Sequence, residues 1–259
     1  MAVLVPSNQE EPATLRRALL SAALQEFGFL QVVLLLEPPT DSRLAHAAHA
    51  VALDLPATVA NYLAVPRERF AHALDMHQHS SRIGEPTAEQ VRAIAAEYRW
   101  AAGWLRMRAE QELRLDHLDD FFVDHVLESL ASDLDGQAES LLGDTAGVTV
   151  NQLDRLYRRL AWIFRAEISC FDRARYPLLS QARGPAAGLD SYRALMGQSF
   201  DVVDGTDGQQ LVPAGNRGSI RIPAADYVLA LDPDSMLLPE YCLRLLERTG
   251  LARNERANA

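Results

Sequence analysis

Two aspartates two positions apart, Asp232 and Asp234 of Asp232-Pro233-Asp234-Ser235, follow directly on the apolar run 227–231. In extended backbone, side chains two apart project from the same side, so the two carboxylates could share one hard divalent cation. Magnesium and manganese favour carboxylate and phosphate oxygen, and such a cation neutralises the charge that grows on a departing nucleoside diphosphate. The simpler reading of the same residues is an acidic turn that caps a helix beginning at Leu238.

Other candidate groups carry less. Trp100 and Trp104 lie four apart on a predicted helix; they could stack on a sugar or base, but core or interface is the commoner role of such a pair. His77-Gln78-His79 has a metal-like spacing but no third ligand nearby in sequence. Asp116, Asp119, Asp120 and Asp124 spread around a helix instead of converging, and read as surface or helix-start charge. Asp204 and Asp207 fall in a Gly-rich turn without the acidic ladder of a calcium loop.

The elements that must position these groups follow from hydrophobic periodicity. Ala2-Val3-Leu4-Val5, stopped by Pro6-Ser7-Asn8, and Val32-Val33-Leu34-Leu35-Leu36, closed by Glu37-Pro38-Pro39, read as buried strands. Between them Leu15, Leu19, Leu20, Ala23 and Leu24 form one helical face, with Arg16 and Arg17 off it. That is a βαβ unit, which belongs to a parallel sheet. From 42 to 165 the spacing is helical, with stripes such as Val91, Ile94, Ala95, Tyr98, Ala102 and Leu105, or Leu118, Phe122, Leu127, Leu130 and Leu134, and breaks at Gly84-Glu85-Pro86 and Gly143-Asp144-Thr145. Beyond it come a half-buried strand at 166–171, a hairpin of 199–203 with 209–212, a buried strand at 227–231 and a helix over 238–246.

Composition sets the class. With 259 residues, 48% of them hydrophobic and 23% charged, the chain is ordinary globular material for one or two domains. A net charge of −10 argues against nucleic acid as a partner. Every basic residue is Arg and none is Lys, which excludes Schiff-base chemistry and a P-loop lysine. Cys170 and Cys242 have no metal-type spacing and fit a reducing compartment, no stretch is long and apolar enough to span a membrane, and the expected location is cytoplasmic.

Residues 225–241, Ala-Asp-Tyr-Val-Leu-Ala-Leu-Asp-Pro-Asp-Ser-Met-Leu-Leu-Pro-Glu-Tyr, closely resemble the metal-binding segment of family 2 glycosyltransferases, the cellulose- and chitin-synthase-like group. Val3-Leu4-Val5-Pro6-Ser7-Asn8-Gln9-Glu10 is similar to that family's first strand and nucleotide loop, and residues 32–39 to its second strand and acid. Residues 168–176 and 189–197 resemble the segment before the metal site in a bacterial branch with a helical insertion. These pieces cover about half the chain, in the family's order.

The resemblance implies an α/β, Rossmann-like nucleotide-sugar domain of GT-A type, in two parts, 1–41 and 166–259, interrupted by a mostly helical insertion, 42–165. It implies that Pro6, Ser7, Glu10 and Glu37 hold the uridine of a UDP-sugar donor. Asp232 and Asp234 would hold its diphosphate through manganese or magnesium, for inverting transfer to a glycan or polysaccharide acceptor. The family's later Glu-Asp base and Gln-x-x-Arg-Trp segment do not occur here, Pro185 stands where relatives usually carry a lysine, and Asp190 where they carry an asparagine. The expectation is therefore either the amino-terminal part of a longer enzyme or a truncated or degenerate relative with little turnover; full-length relatives often associate with membranes. The alternative is a non-catalytic remnant whose helical part binds a protein partner or itself. A third reading, a metal hydrolase on His77, His79 and the Asp232 pair, requires groups from different predicted subregions.

Overall fold

A computed structural model describes residues 1–7, 10–40, 42–79, 85–179, 182, 184–206 and 208–248. In chain order these form β1 (Ala2–Ser7), α1 (Pro12–Ala23), β2 (Gln31–Leu36), α2 (Arg43–Tyr62), α3 (Ala64–His79), α4 (Ala88–Gln111) and α5 (His117–Phe121). After a π-helical turn, Phe122–Glu128, come α6 (Ser129–Gly143), α7 (Val150–Ile163), β3 (Glu167–Asp172), α8 (Pro185–Leu195), β4 (Ser199–Gly205), β5 (Gly208–Pro213), β6 (Ile220–Arg221), β7 (Val228–Ala230) and α9 (Tyr241–Arg248). Asn8 and Gln9 of the opening loop, Gly84 of one predicted break and Asp207 of the hairpin loop lie outside the described residues.

The chain divides into two compact units. The first comprises Met1–Ala23, Leu30–Tyr62 and Glu167–Met236. It is mixed α/β, with a four-stranded parallel sheet in the order β3-β2-β1-β7 and a small antiparallel sheet in the order β5-β4-β6. β1 and β2 are almost wholly buried, as central strands covered on both faces must be, and this is why they read as continuous apolar runs without alternation. On one face Ala2, Leu4, Val33 and Leu35 pack with Tyr192 of α8, with Phe200 of β4 and with Ile222, just after β6. The alternate residues Val3, Val5, Val32 and Leu34 point to the other face, where α1 and α2 pack.

Two expectations change here. Arg17, expected off the packed face of α1, is buried, and its guanidinium donates to Thr14 Oγ1 at 3.2 Å. The strand at 227–231 is shorter and less buried than expected: among the described residues β7 is an edge strand, paired with β1 on one side, and Val228 is 41% exposed. The same apolar letters serve an edge or a centre, and only pairing tells them apart.

The second unit comprises Leu24–Phe29, Leu63–Ala166 and the described residues from Leu237 onward. Contacts thus group α2 with the sheet and α9 with the helices, where sequence pattern alone placed the helical segment at 42–165. α4 and α6 pack together, and both bury small residues, Ala95, Ala101 and Ala102 on α4 and Ala131 and Ala138 on α6, which suit close approach of helix backbones. Both α4 and α7 open with capping boxes, Thr87 with Gln90 and Thr149 with Gln152. Phe122 and Leu127 of the second stripe are five residues apart, too far for one face of an α-helix. The π-helical turn, with its wider i to i+5 repeat, turns Phe122, Val123, Val126 and Leu127 inward together. No helix among the described residues is long and apolar enough to cross a membrane.

The free cysteines sit one in each unit, Cys170 on β3 and Cys242 fully buried in α9. Burial pushes each thiol up to about 12. A thiol titrating there holds roughly a thousandth of the thiolate of a free cysteine near neutral pH. Both should therefore react with a disulfide reagent about 1,000-fold more slowly than free cysteine in the folded protein, and at the ordinary rate in denaturant. A fast-reacting equivalent without denaturant would contradict this burial.

Candidate functional site

Because β1, β2, β3 and β7 are parallel, their carboxyl ends leave the sheet at one edge. Register pairs Ser7 with Leu36 and Leu36 with Asp172, so the ends of β1, β2 and β3 are level. Leu4 pairs with Ala230, and the Leu231 N–H continues the ladder to the Leu4 carbonyl at 2.9 Å, which brings Asp232 level with Pro6. The strand order steps from β1 through β2 to β3 on one side and resumes with β7 on the other. Open α/β sheets bind ligands outside the carboxyl edge, where such an order reverses.

On the β2 side, Ser7 and Glu37 are buried and Glu10 is half-buried. The Ser7 hydroxyl donates to the Glu10 carboxylate at 2.8 Å. Glu37 accepts the Gly184 N–H on both oxygens, at 2.9 and 3.1 Å, so the carboxylate sits at the positive start of α8. Gly184 has φ 113°, a left-handed conformation that favours glycine, and Pro185 opens the helix behind it. The Arg173 guanidinium, 1% exposed, lies 3.9 Å from Glu37 and donates to the Ala182 carbonyl at 2.7 Å. Asp172 accepts the Ala174 N–H and pairs with His49 Nε2 at 3.3 Å. Ser7, Glu10, Leu36, Glu37 and Pro39 from the sheet edge, with Ala45, Ala48, His49 and Ala52 of α2, enclose a cleft of about 20 Å³. That is room for one water.

On the β7 side, Asp232 and Asp234 are exposed, and no described side chain engages either carboxylate. They do not stand in extended backbone as expected: the Ser235 N–H reaches the Asp232 carbonyl at 2.9 Å and closes a turn, with Pro233 at its second position. Proline has no N–H and a φ preset for that position, so it favours the turn over a continued strand. The helix expected at Leu238 begins at Tyr241, which leaves the aspartates too far upstream to cap it. Neither aspartate lines the cleft of Ser7, Glu10 and Glu37. Among the described residues no three His, Cys, Asp or Glu side chains form a cation site. Two free carboxylates still suit a magnesium- or manganese-type cation, which takes one or two carboxylates and fills its shell with phosphate oxygen and water.

The structure adds His49, Asp172, Arg173 and Gly184 to the edge. Asp172-Arg173, a charged pair straight after an alternating strand, was the available signal. His49 had none beyond its place in an alanine-rich helix, because its partner lies on a distant segment.

The helical unit uses the remaining candidates structurally. Trp100 packs edge-on to Phe70 at 5.7 Å under the Arg69 guanidinium, and Trp104 is buried against Phe164. His77 stacks on Tyr157 at 4.3 Å and contacts Asp154, while His79 pairs with Asp75. Asp116 caps α5, and Asp120 and Asp124 pair with Arg114. In the first unit, Asp204 pairs with Gln209 across the β4–β5 hairpin. No protein-family model, no curated protein and no solved structure matches this chain.

Proposed function

We propose that the α/β unit is a Rossmann-like nucleotide-sugar domain of the GT-A type, akin to family 2 glycosyltransferases. In this reading Asp232 and Asp234 bind a manganese or magnesium ion that also takes the diphosphate of a UDP-sugar, and the Pro6-Ser7 strand end with Glu10 lies at the uridine. The sugar would pass to a glycan or polysaccharide acceptor. The observation that carries the reading is the strand order β3-β2-β1-β7, with two unengaged carboxylates leaving β7 beside β1 at the carboxyl edge.

The bound cation would supply charge neutralisation on the leaving diphosphate. This chain's residues would bind and orient. The exposed turn Asp232–Ser235 presents two carboxylate oxygens on a short, proline-fixed segment, and Ser7 and Glu10 fix each other on the far side of the β1 end. Glu37, with both oxygens on Gly184, acts as a positioning residue that holds the start of α8 instead of meeting uracil directly. Two free cysteines fit a reducing, cytoplasmic setting.

Titration calorimetry with UDP and manganese tests the reading. Binding should need the metal and weaken at least about ten-fold, about 1.4 kcal/mol, in Asp234→Ala. UDP binding indifferent to metal and to the substitution, or absent altogether, would instead support a non-catalytic role through the helical unit. That second reading draws on one observation, the small size of the cleft.

A further inference from the structure

The geometry points to α2 as a cover over the nucleotide cleft, held shut by His49 on Asp172 and hinged at Pro56. This inference rests on the nucleotide reading of the β1–β2 edge. Sites for small molecules run to about 300–1,000 Å³, whereas the cleft among Ser7, Glu10 and Glu37 measures about 20 Å³. A nucleobase can enter only if a wall moves.

In this inference the wall that moves is α2. The sheet side is fixed by the parallel ladder between β1 and β2 and by the Gly184 N–H on Glu37. The other wall is Ala45, Ala48, His49 and Ala52, a helical stripe at i, i+3, i+4 and i+7. Three of these four are alanines, which bury little apolar area each, so lifting them loses little hydrophobic stabilisation. Among the described residues, the polar tether of this stripe is His49 Nε2 on Asp172 Oδ1 at 3.3 Å, with both side chains largely buried.

The hinge is also in place. Pro56 lies inside α2, and a proline there removes the hydrogen bond to the carbonyl four residues earlier, that of Ala52, and kinks or weakens the helix at that turn. Every wall residue precedes Pro56. The stretch from Arg43 to Ala52 can therefore swing while Leu55 and Val59, buried on either side of Pro56, keep their packing.

Hydrogen exchange on the whole protein, with and without UDP and manganese chloride, tests this. His49→Ala should speed exchange of the amides from 43 to 52 by about ten-fold or more, leave α1 and residues 57–62 at their original rates, and tighten UDP binding, since a larger open fraction raises the apparent affinity in proportion. Pro56→Ala, which restores the missing hydrogen bond, should slow exchange over the same stretch and weaken UDP binding. Acceleration spread through the whole unit, or no change in either variant, would overturn the cover. If UDP binds with metal but neither substitution alters the binding, the cover is wrong and the nucleotide reading stands. If no protein in the series binds UDP, the nucleotide reading fails, and the cover with it.

Discussion

Glu37→Ala is expected to destabilise the α/β unit by about 3–5 kcal/mol, the range for breaking a buried charge pair from one side. The carboxylate holds the Gly184 N–H with both oxygens and is the acid nearest the Arg173 guanidinium. Among the described residues Arg173 Nε and Nη1 find no partner, and after the substitution the described partner left to its charge would be the Ala182 carbonyl. The first turn of α8 would lose its anion at the same time. Glu37→Gln keeps an acceptor for Gly184 but not the charge, and should fall between alanine and the original. Hydrogen exchange of the β1 and β2 amides measures this directly. A loss below about 1 kcal/mol, the worth of an exposed ion pair, would mean that Glu37 is not held as described.

Phe70→Ala is the corresponding test of the helical unit, with an expected loss of about 3–5 kcal/mol from transfer and cavity terms together. Phe70 is 1% exposed, and its ring lies 5.2 Å from Phe164 and 5.7 Å from Trp100, so its removal empties the centre of an aromatic cluster. All three tryptophans, Trp100, Trp104 and Trp162, belong to the helical unit, and their fluorescence in urea therefore reports on it. The midpoint should fall by at least about 1 M, given urea slopes of roughly 1–3 kcal/mol per molar. A shift under about 0.5 M would contradict the cluster.

What could be read from the chain differed between elements for physical reasons. β1 and β2 were legible because strands covered on both faces are apolar without interruption, and α4 because its stripe repeats at helical spacing. β7 was legible as a strand but not as an edge, since pairing leaves no mark on its letters. The attachment of α2 to the sheet was hidden because periodicity reports which face is buried and not against what. The π-helical turn left a trace, the five-residue step from Phe122 to Leu127, that does not fit an α-helical stripe.

The candidate site divides the same way. Strand ends are local, so Ser7, Glu37, Asp232 and Asp234 could be named from their places after apolar runs. Ser7 finds Glu10 three positions on, but other contacts of the edge are not local: Gly184 reaches Glu37 across 147 positions, and Asp172 reaches His49 across nearly as long a stretch of chain. Those contacts decide that Glu37 holds a helix start and that α2 roofs the cleft, and nothing in the neighbouring residues announces them.

The most direct test of the account is manganese resonance on the whole protein, with UDP present and absent. Protein-bound manganese should form strongly only when UDP is added, because two carboxylates fill a minor part of the shell and the diphosphate completes it. It should be lost in the double substitution Asp232→Asn with Asp234→Asn. Manganese bound equally well without UDP, or retained in full by the double variant, would contradict the claim that this turn and a diphosphate share one cation.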